Sequence, residues 1–320
     1  MLWYYKMQKI KELIFKKIVS YFDHTNYIKF FSKKNVLNFI LKKLRNAYLK
    51  ALSMNDLNPI KKIEKVFVSN ARKIDIFIDT YDYSHISQIA DPDWESKIFN
   101  YYNKFNFENL IFIDIGANIG CHTLFFYNFK KFNRLIYVEP NLKCVRLFKQ
   151  SLSVQTLNKE NLDKVLILNN VISEKKGYLD LKVFNNSSGS GSIVDYFGKE
   201  SKKKTMLNSG AEFYTSKIES MTITELFSYI KKTENIIIKM DIQGAEPRVL
   251  SQIGDIIDDY DIKLCFFEIN DFDHDIMKKS LSKFKEKYFL NDLNDMQVDE
   301  NNMNKYVKDV LVLKSKSIIK

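Results

Sequence analysis

Three short segments hold side chains whose types and spacing could do chemistry together. The first is FIDIGANIGCHT, residues 112–123, where Asp114 ends an apolar run and Gly116 and Gly120 bracket Asn118. The spacing is G-x-x-x-G. It is not the G-x-G-x-x-G of a dinucleotide loop, whose middle glycine lets a pyrophosphate approach. A carboxylate at 114 repels a phosphate and suits an ammonium or sulfonium group. The second is Glu139 in YVEPN, 19 residues after Gly120. An acid there can accept hydrogen bonds from two ribose hydroxyls, which points to an adenosine-bearing ligand. The third is IIIKMDIQGAEPRVL, residues 236–250. Asp241 ends a buried run, Gln243-Gly244-Ala245 turns the chain, and Glu246 precedes Pro247, a residue suited to a first helical position. Glu246 reads equally as an acid that complements a helix dipole. CFFEIN, residues 265–270, adds Glu268 and Asn270, with His274 soon after. These line an acceptor pocket or simply end a strand.

Such residues must be positioned by rigid elements. Apolar runs at 110–115, 135–138, 165–168, 235–240 and 262–269 alternate with helical patterns at 121–129, 141–152 and from 247 onward. Fully apolar strands alternating with helices make a parallel sheet covered on both faces. Residues 287–291 and 309–314 read as a closing strand pair. Asp114, Glu139 and Asp241 then share the carboxyl edge of the sheet, where open α/β sheets bind ligands. S-adenosylmethionine, with its ammonium, sulfonium and ribose, fits that trio. Residues 65–80 read as a further strand pair turning at Asn70-Ala71. Asp91-Pro92-Asp93 ends an extended stretch and opens a helix over 93–104. The polar run NNSSGSGS within residues 185–210 is a long loop, either disordered or functional.

Composition bounds the partners. The 320 residues carry 50 basic and 39 acidic side chains, a net +11, with 45% apolar and 14% aromatic residues. Such a chain can bury a core, which excludes a disordered or fibrous protein. The charge is lopsided: residues 1–73 hold 17 basic against 4 acidic residues, and the remainder 33 against 35. Abundant Lys, Asn, Ile, Phe and Tyr with only 9 Gly and 4 Pro follow AT-rich codons, so lysine content alone does not argue for a polyanion partner. Residues 1–60 show two amphipathic helical stripes with basic flanks. They pack on the main domain, or form a basic surface for the inner membrane face or a protein complex. Cys121, Cys144 and Cys265 form no metal or redox spacing and suit a reducing compartment. No run reaches 18 apolar residues and no cleavable leader is visible, so a cytoplasmic protein is expected.

Taken together, FIDIGANIGCHTL, YVEPN, IIIKMDIQGAEPRVL and FFEIN resemble the FkbM family of S-adenosylmethionine-dependent methyltransferases over about residues 75–313. LNNVISEKKGYLDL (168–181) and SSGSGSI (187–193) are similar to that family's third-strand segment and serine-rich loop. The resemblance implies a class I methyltransferase fold: a Rossmann-like, mostly parallel seven-stranded α/β sheet with helices on both faces. Residues 1–73 lie outside the resemblance; the patterning divides the chain into a basic helical N-terminal extension over 1–60 and the methyltransferase domain over 61–320. The resemblance also implies that Asp114, Gly116, Asn118 and Gly120 hold the methionine portion, Glu139 the ribose, and Asn170 or Val171 the adenine edge. It places Asp241 near the sulfonium and the acceptor. It implies O-methylation of a hydroxyl on a glycan or another polyhydroxylated small molecule. Gln243 departs from the family's usual Glu, and Thr224 from its usual Asp.

For methyl transfer to a hydroxyl, a base must take the proton in the transition state. Asp241, Glu246 and His274 are the candidates; His122, beside the cofactor loop, suits cofactor orientation as well as proton transfer. No dense acidic cluster suggests a metal site. Competing readings are a methyltransferase with a protein or nucleic-acid acceptor, a non-catalytic cofactor-binding adaptor docked by the basic N-terminus, and, more distantly, an NAD oxidoreductase. Nucleic acid is disfavoured because Asp241-Ile-Gln-Gly lacks the Asp/Asn-Pro-Pro-aromatic turn that grips an exocyclic amine.

Overall fold

Runs as apolar as LIFIDI and NIIIKM can be buried on both faces only in the middle of a sheet flanked by helices, and the computed structural model places them there. It describes residues 59–67, 72–91, 93–155, 159–185, 187–193, 213–269, 274–306 and 309–319. The chain divides into two units, residues 1–59 and 60–320. The helices expected over 1–60 lie outside the described residues, as does the turn expected at Asn70-Ala71.

The second unit opens with an antiparallel pair, β1 (Ile60–Phe67) and β2 (Arg72–Asp79), followed by helices α1 (Tyr83–Ala90) and α2 (Ser96–Asn103). Then come β3 (Leu110–Ile115), α3 (Cys121–Phe129), β4 (Arg134–Val138), α4 (Leu142–Ser153) and β5 (Val165–Leu168). Short β6 (Val171–Ile172), β7 (Gly177–Phe184), β8 (Ser187–Ile193) and β9 (Phe213–Met221) form a separate four-stranded sheet ordered β6-β9-β7-β8. The chain returns through α5 (Ile223–Phe227), β10 (Asn235–Met240), α6 (Glu246–Ile256), β11 (Asp261–Glu268), α7 (His274–Ser282), β12 (Tyr288–Asn291) and β13 (Val310–Ser315).

The main sheet has seven strands in the order β12-β13-β11-β10-β3-β4-β5. Neighbours are parallel except at β13, which pairs antiparallel with both β11 and β12. This is the class I methyltransferase topology, and the closing strand pair falls where the sequence puts it. The strand order reverses between β3 and β10, so a crevice opens at their carboxyl ends. Alternation splits β3 between two core layers. Ile111, Ile113 and Ile115 pack with α5, α6 and α7, whereas Leu110 and Phe112 pack with α2, α3 and α4. Asp114 continues the second row, and Lys239 of β10 is its register partner.

Two stretches depart from the sequence reading. Residues 187–193, read as part of a long loop, form strand β8, paired with β7. The residues before Pro92 are helical rather than extended: Asp82 caps α1 by accepting from the backbone N–H of Ser84 and His85. The helix expected from 93 begins at Ser96. Neither Asp91 nor Asp93 caps it; Glu95, in the left-handed region at φ 48°, precedes it with no side-chain cap. An eight-residue helix contains too few turns for its periodicity to be read from sequence.

Candidate functional site

The loop after β3 is shaped by close approach. Gly116 sits at φ 73°, and a Cβ there would lie 1.9 Å from the Asp241 carbonyl oxygen. The Gly116 and Ala117 N–H groups donate to Val138 O at 3.0 and 3.1 Å, which ties the loop to the end of β4. Gly120, at φ 80°, starts α3, and a Cβ there would collide with the Phe148 ring at 2.2 Å. Both glycines are therefore needed for the backbone path, and only Gly116 lines the cavity described below.

Glu139 closes the loop from the neighbouring strand. Its Oε2 accepts from the Asn118 N–H and its Oε1 from the Asn141 N–H, both at 2.8 Å. Burial pushes this carboxyl up to about 7, against the pull of the two backbone donors. Each oxygen keeps a second lone pair, so the group can still accept from a ligand. Asn118, at φ 51°, uses its amide for the loop and turns its Oδ1 toward His85 Nε2 at 3.2 Å.

These residues rim a cavity of about 440 Å³ at the reversal point of the sheet. Gly116, Asn118, Glu139, Asn170, Val171 and Asp241 all line it. Asp114 stands behind it, fully buried: its Oδ2 accepts from the Thr123 N–H at 3.2 Å and the Thr123 hydroxyl at 2.7 Å, while its Oδ1 has no hydrogen-bond partner. Asp241 is a third exposed. Its Oδ1 accepts from Gln243 Nε2 at 2.7 Å, and its Oδ2 lies 3.8 Å from Lys239 Nζ.

Glu246 is placed differently. It is buried and does not line the cavity. Its two oxygens accept from the Ile242 N–H at 2.9 Å and the Gly244 N–H at 2.8 Å, bracing the turn after β10. Burial first, and then the Asp241 charge, raise it to about 7. His274 begins α7; its side chain and Asn270 lie outside the described residues. His122 lines the cavity. Nε2 lies 2.5 Å from Glu95 Oε2, Nδ1 lies 3.3 Å from the Tyr102 hydroxyl, and the ring stacks on Phe99. Burial would raise the Glu95 carboxyl, but the His122 charge and hydrogen bond outweigh it and hold it below the usual range.

Sequence reasoning missed the latch over the cavity. The Ser188 N–H donates to both Asp82 oxygens, at 3.1 and 3.3 Å. The Ser188 hydroxyl lies 2.9 Å from His85 Nε2, and the Gly189 N–H donates to the Ser84 hydroxyl at 3.1 Å. His85 Nδ1 accepts from the Asp79 N–H, so the ring proton sits on Nε2. Burial keeps this histidine below its ordinary value despite Asp82, consistent with that neutral tautomer. The serine-rich strand β8 thus lies across the cavity, and Ser192 donates to Gln243 O at 3.1 Å on its far side. The available signal was Asp82-x-Ser84-His85 at the start of a helix, which reads as an ordinary cap.

Among the described residues no group of three or more His, Cys, Asp or Glu side chains is arranged to hold a metal ion. No described helix is long and apolar enough to cross a membrane.

The family described as the methyltransferase FkbM domain matches residues 114–295. No curated protein matches the chain. Among solved structures, the chain is similar to an FkbM methyltransferase from Methylobacillus flagellatus, at 14% identity and a TM-score of 0.41, covering 73% of this chain and 55% of that one. A 16S rRNA N2 G1207 methyltransferase from T. thermophilus, in complex with AdoMet and guanosine, gives 10% identity and a TM-score of 0.40, over 80% of this chain and 51% of that one. An rRNA methylase from Streptococcus thermophilus gives 9% identity and a TM-score of 0.35, over 69% and 95%. The chain thus spans about half the length of the first two.

Proposed function

This chain belongs to the FkbM methyltransferase family, and we propose that it transfers a methyl group to a hydroxyl of a glycan or similar polyhydroxylated acceptor. The cofactor is S-adenosylmethionine, which supplies an electrophilic methyl on a sulfonium sulfur. The residues present fit it. The Asp114 Oδ1 atom, buried without a hydrogen bond, matches a cationic ligand group nearby. The Gly116 cradle, which a Cβ would fill, lets the ligand approach the loop backbone. Glu139 has lone pairs left for ribose hydroxyls, and Asn170 and Val171, which line the same cavity, would edge the adenine.

The observation that carries the hydroxyl acceptor is Asp241. It lies on the cavity wall, partly exposed, with one oxygen fixed by Gln243 and the other free of hydrogen bonds among the described residues. A carboxylate held this way can accept a hydroxyl proton as the oxygen becomes a nucleophile. Glu246 spends both oxygens on its own turn and serves as a brace. The serine-rich wall of β8 and Trp94 offer hydroxyl donors and an aromatic face, a lining suited to a polyhydroxylated molecule. Acids around the cavity repel a phosphate chain, which weighs against nucleic acid. A peripheral contact through residues 1–60 remains part of the proposal, as does a location in the cytoplasm.

The test is to incubate the full chain with methyl-labelled cofactor and fractionated cell glycans and small metabolites, then follow the label. Wild-type protein should label a hydroxyl-bearing acceptor. Asp241→Asn should still bind the cofactor, less tightly, and lose transfer; unchanged turnover removes Asp241 from the mechanism. Label found only on protein or nucleic acid rejects the glycan reading.

A further inference from the structure

A lysine on a buried central strand is costly unless its charge is matched. Lys239 sits on β10 with about 7% of its surface exposed, yet it lines the cavity. Its Nζ lies 3.9 Å from Asp114 Oδ1 and 3.8 Å from Asp241 Oδ2. Both distances are too long for hydrogen bonds, and no hydrogen bond to its Nζ is found among the described residues. The ammonium is thus suspended between two carboxylates by charge alone. Glu95, from the turn before α2, and Glu268, at the end of β11, add their fields to it; Glu139, just after β4, also feels it. This end of the cavity has several acids; His122 and Lys65 act on Glu95, and Lys239 is the cation set between Asp114 and Asp241.

We infer that Lys239 is a positioning residue that offsets the negative charge at the transfer end of the cavity, so that the site holds a sulfonium less tightly than its carboxylates alone would, and favours the neutral thioether left after transfer. The inference rests on the methyltransferase reading. In that reaction the C–S bond breaks with its electron pair left on sulfur, an O–C bond forms, and the hydroxyl proton passes to Asp241. The sulfur loses its positive charge, and with it the repulsion from Lys239. Asp114 and Asp241 attract the cationic ligand; Lys239 sets how strongly.

The consequence is readable without any acceptor. Titration calorimetry on the full chain at about pH 8 compares the affinities for S-adenosylmethionine and S-adenosylhomocysteine, which differ by the sulfonium charge and its methyl. Lys239→Met keeps length and apolar bulk, and should shift the affinity ratio about ten-fold toward the sulfonium form. Lys239→Arg should restore the wild-type ratio. A ratio does not move when a variant merely loses part of its folded population, because both ligands lose equally. If Lys239→Met does not fold, Lys239→Gln is measured in its place with the same expected shift. Variants that bind both ligands at the wild-type ratio overturn the inference and leave the methyltransferase reading standing. A wild-type chain that binds neither ligand overturns both.

Discussion

The turns after β4 and β10 are chemically alike. Each has a buried glutamate whose two oxygens accept backbone N–H groups, and each glutamate is pushed up to about 7. Glu139 braces Asn118 and Asn141 across two different loops and faces the cavity; Glu246 braces Ile242 and Gly244 within one turn and does not face it. The same device is therefore a ligand handle in one place and a scaffold in the other. What separates them is the neighbouring wall. Beside Glu139 the glycine loop leaves open space, whereas Glu246 opens a helix whose buried face enters the core.

The sharpest way to break this contrast is to fill the space. Gly116→Ala forces a Cβ toward the Asp241 carbonyl at a positive φ. It should lower stability by about 2–4 kcal/mol and abolish cofactor binding, by thermal melts and calorimetry. A variant with wild-type affinity would show that the loop is not the cradle.

The next effect compares the twins directly. Glu139→Gln and Glu246→Gln each turn an amide donor toward a backbone N–H, so each should cost roughly 1–3 kcal/mol in denaturant titrations. Only Glu139→Gln should weaken S-adenosylmethionine, by roughly ten- to a hundred-fold. Equal losses of affinity in both would erase the distinction.

A smaller effect concerns the latch. Asp82→Asn weakens the grip on the Ser188 N–H. Cofactor dissociation, followed by stopped flow, should quicken about three- to ten-fold, with little change in Glu139→Gln behaviour when the two are combined. An unchanged off-rate would make β8 a passive wall.

The smallest effect is in pH. A glutamate raised from 4.5 to about 7 is protonated in the folded chain where the unfolded chain has already ionised. Its contribution to stability is full below about 4.5 and is lost as pH rises through about 7. The unliganded chain should therefore lose stability across that window. Ribose hydroxyls favour ionised Glu139, so cofactor affinity should climb as pH rises toward 7 with release of a proton, read by calorimetry in buffers of different ionisation enthalpy. Glu139→Gln should abolish the proton release and Glu246→Gln should not.

Much of this site was legible along the chain because its parts are local. A strand, a glycine turn and a helix are contiguous at 112–129, and an acid at a strand end falls on the carboxyl edge whenever the sheet is parallel. Asp114, Gly116, Asn118, Glu139 and Asp241 could be named for that reason. The latch was not legible because Asp82 and Ser188 are 106 positions apart and meet only through the fold.

By itself, then, the order of residues determined the strand–helix alternation, the seven-stranded sheet and the row of acids at its edge, because periodicity and turn chemistry act between near neighbours. Tertiary structure alone decided which of two matching glutamates faces the cavity, which serine strand covers it, and that Lys239 hangs between Asp114 and Asp241. Those outcomes depend on distances across separate elements, where burial and charge are set by whatever else packs there.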